Sequence, residues 1–165
     1  MYIAVAIIAL FLGLNALVAP LVYYAKPIHG RVIDAETLQP VQGAIIGARW
    51  VLWLLWIGER DSIREVQTIT DLNGNYAIAG GMMLRWPPVG WLDFSDPAMV
   101  VFKSGYEAEF LSNGLDRNGW VRRSQWDGIE IELKPFRGTP QARLNELYLV
   151  LRYCGRSKRC YEELN

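Results

Sequence analysis

Catalysis by side chains needs a group that takes a proton, holds a metal or attacks an electrophile, and this chain offers few such groups in a useful pattern. It has one histidine, His29. A hydrolytic zinc centre takes about three protein ligands, commonly from an HExxH or HxxE pairing, and neither pairing occurs. A Ser-His-Asp arrangement would have to use His29 as its base, and no motif places a serine beside it. The sequence therefore nominates no catalytic residue, no metal ligand and no cofactor. Asp71, Asn73 and Asn75 have the odd-position spacing that opens a calcium loop. Gly74 falls early for that register, and neither Ala77 nor Gly81 and Met82 supply a distal carboxylate. Asx-turn chemistry accounts for the trio better.

Two residue types remain. Cys154 and Cys160 are the two cysteines. They cannot form a four-ligand zinc site with His29 so far away, so the spacing reads as a short disulfide loop, contributing about 2 kcal/mol in the chain-entropy model. The competing reading is two unrelated buried thiols. The seven tryptophans are the other group. Trp50, Trp53 and Trp56 fall in one apolar stretch, Trp86 and Trp91 in a Gly/Pro-containing insertion, and Trp120 and Trp126 in a late loop. Trp50 and Trp53 read as core. Trp56, Trp86, Trp91, Trp120 and Trp126 are candidate binding residues, since exposed aromatics seat protein partners or stack on sugar rings. The "MMLRWPPVGW" segment is too apolar to sit free in water. It would fold over the "LWLLW" strand, rest on a membrane or meet a partner.

The elements that must position these residues follow from periodicity. Residues 2–25 carry no charge and are long enough to span a ~30 Å hydrocarbon core. They read as an uncleaved membrane anchor ahead of a cleaved signal, with Tyr23 and Tyr24 at the membrane interface. Lys26 and Arg31 follow the segment, which taken literally leaves the rest of the chain in the cytoplasm. A disulfide argues for an oxidising compartment, and we expect an extracytoplasmic domain, or a secreted one if the segment is removed. Beyond it come strands at Ile28 to Asp34, from Gly43 onward, at "REVQTIT" and "NYAIAG" as a hairpin around Asn73-Gly74, at "AMVVFK", at "YEAEFL" and at "GIEIELK". Gly58 to Ser62 reads as a break. A last helix starts with Thr139 as N-cap and Pro140 at its first position, and presents Leu144, Leu147, Tyr148 and Leu151 as its apolar stripe.

Net charge is zero. The basic cluster Arg152, Arg156, Lys158 and Arg159 sits beside Glu162 and Glu163 and reads as helix-end cations, so nucleic acid is not an expected partner.

Three blocks carry a family resemblance: Gly30, Val32, Asp34, Pro40, Val41, Gly43 and Ala44; then Thr70, Asp71, Asn73, Gly74, Tyr76 and Ile78; then Phe102, Lys103, Gly105 and Tyr106. Together they resemble the carboxypeptidase regulatory-like domain, and they cover about half the chain. The resemblance implies a mainly β fold, a seven-stranded transthyretin/Ig-like β-sandwich. To this the sequence adds an N-terminal transmembrane helix and a C-terminal amphipathic helix. The segments are 1–25 for anchor or signal, 26–136 for the β-sandwich, and 137–165 for the helix and disulfide tail. The resemblance also implies no catalysis. The expected role is a membrane-tethered module contacting another envelope protein, with carbohydrate binding or a purely structural role as alternatives.

Overall fold

The computed structural model describes residues 2–18, 20–54, 58–85, 90–93, 95–114 and 119–154. It is mainly β, with two helices at its ends. In chain order the elements are α1 (Tyr2–Val18), β1 (Val22–Ala25), β2 (Ile28–Asp34), β3 (Ile45–Leu54), β4 (Gly58–Ile69), β5 (Asn75–Ile78) and β6 (Gly81–Leu84). There follow β7 (Trp91–Leu92), β8 (Ala98–Phe102), β9 (Glu109–Leu111), β10 (Val121–Arg122), β11 (Ile129–Leu133) and α2 (Pro140–Cys154).

Three sheets result: β10-β1-β6, β11-β2-β5, and a larger one in which β4-β3-β8-β9 run side by side with β7 also on β3. The two small sheets are made from consecutive pieces of chain. β1 leads into β2 through Lys26-Pro27, and β5 leads into β6 through Ala79-Gly80. Pro27 has no N–H to give to a ladder, so the pairing breaks there. Gly80 fits that break because a Cβ on it would stand 2.6 Å from the Ala25 carbonyl oxygen and 2.8 Å from the Pro27 nitrogen.

Alternation then fills one core. Val32 and Ile131 lie inward from the β2/β11 pair, Tyr23 and Met83 from β1 and β6, and Ile46, Ala48, Trp50, Met99 and Val101 from β3 and β8. Outside the large sheet, Ile45, Val100 and Phe102 form a second cluster, and α2 covers it with Val150, Leu147 and Tyr153.

Several expectations change. The described residues form eleven strands rather than seven. Gly58 to Ser62 is not a break but the start of β4, which pairs back on β3 with a register shift after Trp50. β4 and β5 are not a hairpin. β4 pairs with β3, whereas β5 pairs with β2 from Ile28↔Ile78 to Arg31↔Asn75. Asp71–Gly74 is thus a corner between sheets. Gly74 takes a positive φ of 76° there, and its carbonyl accepts the Val32 N–H at 2.8 Å.

The anchor also changes. α1 has 17 residues and ends before the segment expected to be membrane-bound does. Tyr23 and Ala25, expected at the end of that segment, are core residues of β1, 1% and 0% exposed. Among the described residues no helix is long and apolar enough to cross a membrane.

In α2, Ala142 N–H donates to the Thr139 hydroxyl at 3.3 Å, the cap expected from sequence. Its inward stripe differs: Leu147, Val150 and Tyr153 face the sheet, while Leu144 and Tyr148 are 61% and 73% exposed.

Candidate functional site

The described tryptophans do not gather into one platform. Trp50 is buried in the core, under the Arg64 guanidinium at 5.6 Å. Trp91 is half-buried in β7, paired with Trp53 of β3, so this part of the insertion runs beside the "LWLLW" strand in the same sheet rather than folding over it. Trp126 is half-buried against the core, and its indole N–H donates to the Ser112 carbonyl at 3.0 Å. Trp120 is 60% exposed. Trp56, Trp86 and Cys160 lie outside the described residues, and the proposed pairing of Cys154 with Cys160 lies outside them too.

Asp71 behaves as an Asx turn. Its Oδ1 accepts the backbone N–H groups of Asn73 and Asn75, each at 2.8 Å. The Asn75 N–H above all, with Asn73 and the Arg31 charge adding to it, holds this carboxyl below its ordinary range. Among the described residues no group of three or more His, Cys, Asp or Glu is arranged to hold a metal ion. His29 is exposed, with Nδ1 3.5 Å from Asp127.

One polar centre was not nominated by the sequence. Asp96, 1% exposed, accepts the Val51 N–H at 2.9 Å through Oδ2. Its backbone carbonyl accepts Asn113 Nδ2 at 2.9 Å, and the same Nδ2 reaches the Arg123 carbonyl at 2.7 Å. Asn113 Oδ1 accepts the Gln125 N–H at 2.8 Å. Nearby, Arg122 lies over the Tyr23 ring at 5.0 Å with Nη2 3.4 Å from the Leu92 carbonyl, and Arg85 donates to the Gly90 carbonyl. Burial pushes the Asp96 carboxyl up to about 8; the Val51 N–H and the Arg122 and Arg49 charges oppose this, and the Asp93 charge adds to it. The group ties β3, the loop before β8 and the segments after β9 and β10 together. The bonds of Asp96 and Asn113 given above all go to backbone, which is the pattern of a structural staple. Nothing distinguishes Asp96 or Asn113 in sequence from ordinary loop residues except the Asp96-Pro97 turn signal.

The feature that does face outward is on β1, β6 and β10. Register places Val22 opposite Leu84, Tyr24 opposite Met82, and Tyr24 beside Val121. These residues point away from the core residues Tyr23, Ala25 and Met83. Met82 is 68% exposed, Leu84 61% and Val22 38%. Trp120 precedes Val121, and its carbonyl accepts the Tyr24 N–H at 2.7 Å. On the neighbouring β11-β2-β5 sheet the corresponding face carries exposed His29, Asn75, Glu130 and Glu132, with Arg31 half-buried, 3.2 Å from Glu130. The outer face therefore changes from charged to apolar at the Lys26-Pro27 break. The apolar part joins α1, from which three residues separate it. In α1 itself Tyr2, Ile3, Val5, Ile7 and Leu10 are all at least 59% exposed.

No protein-family model matches this sequence, and no curated protein matches it. Among solved structures, the chain is similar to 3-chlorocatechol 1,2-dioxygenase from Rhodococcus opacus 1CP (TM-score 0.41, 14% identity, 69% of this chain and 61% of that one). It is also similar to a 9R-lipoxygenase from Cyanothece PCC8801 (TM-score 0.36, 13% identity, 73% of this chain and 18% of that one). The matched region thus spans less than two thirds of either neighbour.

Proposed function

We propose that the protein is a non-catalytic, membrane-tethered binding module of the cell envelope, held at the membrane by α1 with its β-domain on the extracytoplasmic side. The observation that carries this reading is α1: a helix with no charged residue, exposing large apolar side chains from Tyr2 to Leu10, with none of its described side chains in the core clusters. Leaving such a surface in water is unfavourable by roughly 25 cal/mol per Å2, and lipid removes that cost on every side of the helix at once.

The β-domain is a two-layer sandwich of the carboxypeptidase regulatory-like type. Support comes from the motif residues, which do structural work. Gly30 leaves room for the Tyr76 phenol, whose oxygen would be 2.6 Å from a Cβ there. Asp34 accepts the Glu36 and Thr37 N–H groups and the Tyr106 hydroxyl, each at 2.8 Å, joining the first and third blocks. The reading without catalysis rests on the sequence, which has one histidine, His29, and no motif that places a nucleophile beside it.

Contact with another envelope protein is favoured over glycan binding. Sugar recognition by stacking needs exposed aromatic planes with polar neighbours, and among the described tryptophans Trp120 alone is strongly exposed.

The test is membrane fractionation of the full chain against Ile7→Lys/Leu10→Lys, two exposed positions of α1. Wild type should sediment with membranes and resist alkaline carbonate. The double variant should move largely to the soluble fraction, since each lysine costs about 3 kcal/mol in a hydrocarbon environment. Wild type released by carbonate would refute the tether.

A further inference from the structure

We infer that the apolar face of β1, β6 and β10 is a lipid-contact surface, on which the β-domain lies against the bilayer beside α1. This deepens the proposed function and rests on α1 being the tether.

Four observations point to lipid rather than another occupant. The first is the division of the outer face. Val22, Tyr24, Met82, Leu84 and Val121 occupy one side of the Lys26-Pro27 break, and His29, Arg31, Asn75, Glu130 and Glu132 the other. A surface meeting an interface plane divides in this way, apolar below and charged above. The second is continuity: Val22 begins the face, and three residues separate it from Val18, the last residue of α1. Wherever α1 enters lipid, this end of the domain is within a few residues of the same plane.

The third is composition. Tyr24 on the face carries an apolar ring with a polar tip, which suits the headgroup boundary, and the exposed Trp120 stands at the rim, one residue before Val121. Lys26 and Arg123 are exposed at the level where the face turns polar, where cations meet lipid phosphates. The fourth is size. Three strands about 4.8 Å apart and at most four residues at about 3.4 Å each give a face of roughly 10 by 13 Å. A stable protein interface buries about 800 Å2 on each partner, several times more. A contact this small is of use only where something else already holds the surface in place, and α1 does that.

The test uses the full chain in vesicles of phosphatidylethanolamine and phosphatidylglycerol containing a phospholipid with a photoactivatable group near the top of its acyl chain. Labelled residues are mapped by mass spectrometry after irradiation. The expected result is label on α1 and on Val22–Tyr24 and Met82–Leu84, with none on Asn75, Ala77 or Glu130. Met82→Glu/Leu84→Glu should lose the β1 and β6 label while α1 keeps its own. Label on α1 alone would overturn the lipid-contact surface and leave the tether standing. No label on either would overturn both. Cross-linking of the face to a second copy in the same irradiated sample would reassign it to self-association. The wild-type map decides the matter even if the double variant does not fold.

Discussion

Asp96 is the residue with the clearest consequence for stability. Burial raises its folded-state pKa to about 8, whereas an unfolded aspartate titrates near 4. Between those values the folded state holds a proton that the unfolded state has released, so stability is greatest at the acid end and falls as pH rises through the window. Above about 8 both states are ionised and the fall stops. Each pH unit inside the window is worth up to about 1.4 kcal/mol. Asp96→Asn keeps an oxygen for the Val51 N–H without the titration. Its melting temperature should exceed that of wild type at pH 8 and converge with it toward pH 4. A parallel pH dependence in both proteins would show that Asp96 is not the group responsible. Asp34 works in the opposite sense: the Thr37 N–H, the Tyr106 hydroxyl and the Glu36 N–H hold its carboxyl below the ordinary range, so its contribution is present at neutral pH and lost only in acid. Tyr76 is pushed up to about 12 by burial, with the Asp127 charge adding, and is a neutral phenol beneath Gly30 at neutral pH.

At the scale of elements, α2 separates burial from apolar character. Val150 is fully buried against the outer cluster of Ile45, Val100 and Phe102, whereas Tyr148 is 73% exposed. Val150→Ala should cost about 2 kcal/mol in chemical denaturation and Tyr148→Ala less than about 0.5 kcal/mol. Equal losses would mean that the helix sits on its other stripe. Heptad spacing alone could not choose between the stripes, because Leu144, Tyr148 and Leu151 fit a helical face as well as Leu147, Val150 and Tyr153 do. What decides is tertiary: Arg143 and Glu146 flank the buried stripe, with Arg143 donating to the Tyr106 carbonyl and Glu146 accepting the Ala108 N–H. The same limit explains the strands. β2, β8 and β11 were legible as alternating runs and appear where expected. The partner of β5 was not, because Asn73-Gly74 announces a tight turn without stating whether the chain returns along the same sheet or crosses to the next. The candidate surface was half legible. Trp120 could be named from its type, but Val22, Met82 and Leu84 became one face only through the pairing of β1 with β6.

The whole molecule is electrically balanced, with 17 basic and 17 acidic side chains, and that balance predicts how it meets a membrane. If association came from charge, through the basic cluster Arg152, Arg156, Lys158 and Arg159, it would weaken with ionic strength, because about 1 M salt shortens the screening length to roughly 3 Å. Association through α1 and the face beside it has such a term only at the rim, through Lys26 and Arg123. Burial of apolar surface is insensitive to screening, and salting-out anions strengthen it. Membranes carrying the full chain should therefore retain it through a wash at about 1 M sodium chloride and release it to detergent. Release by salt with retention of an intact α1 would assign the attachment to the basic tail instead, and would remove the reason for the apolar outer face to lie near the bilayer.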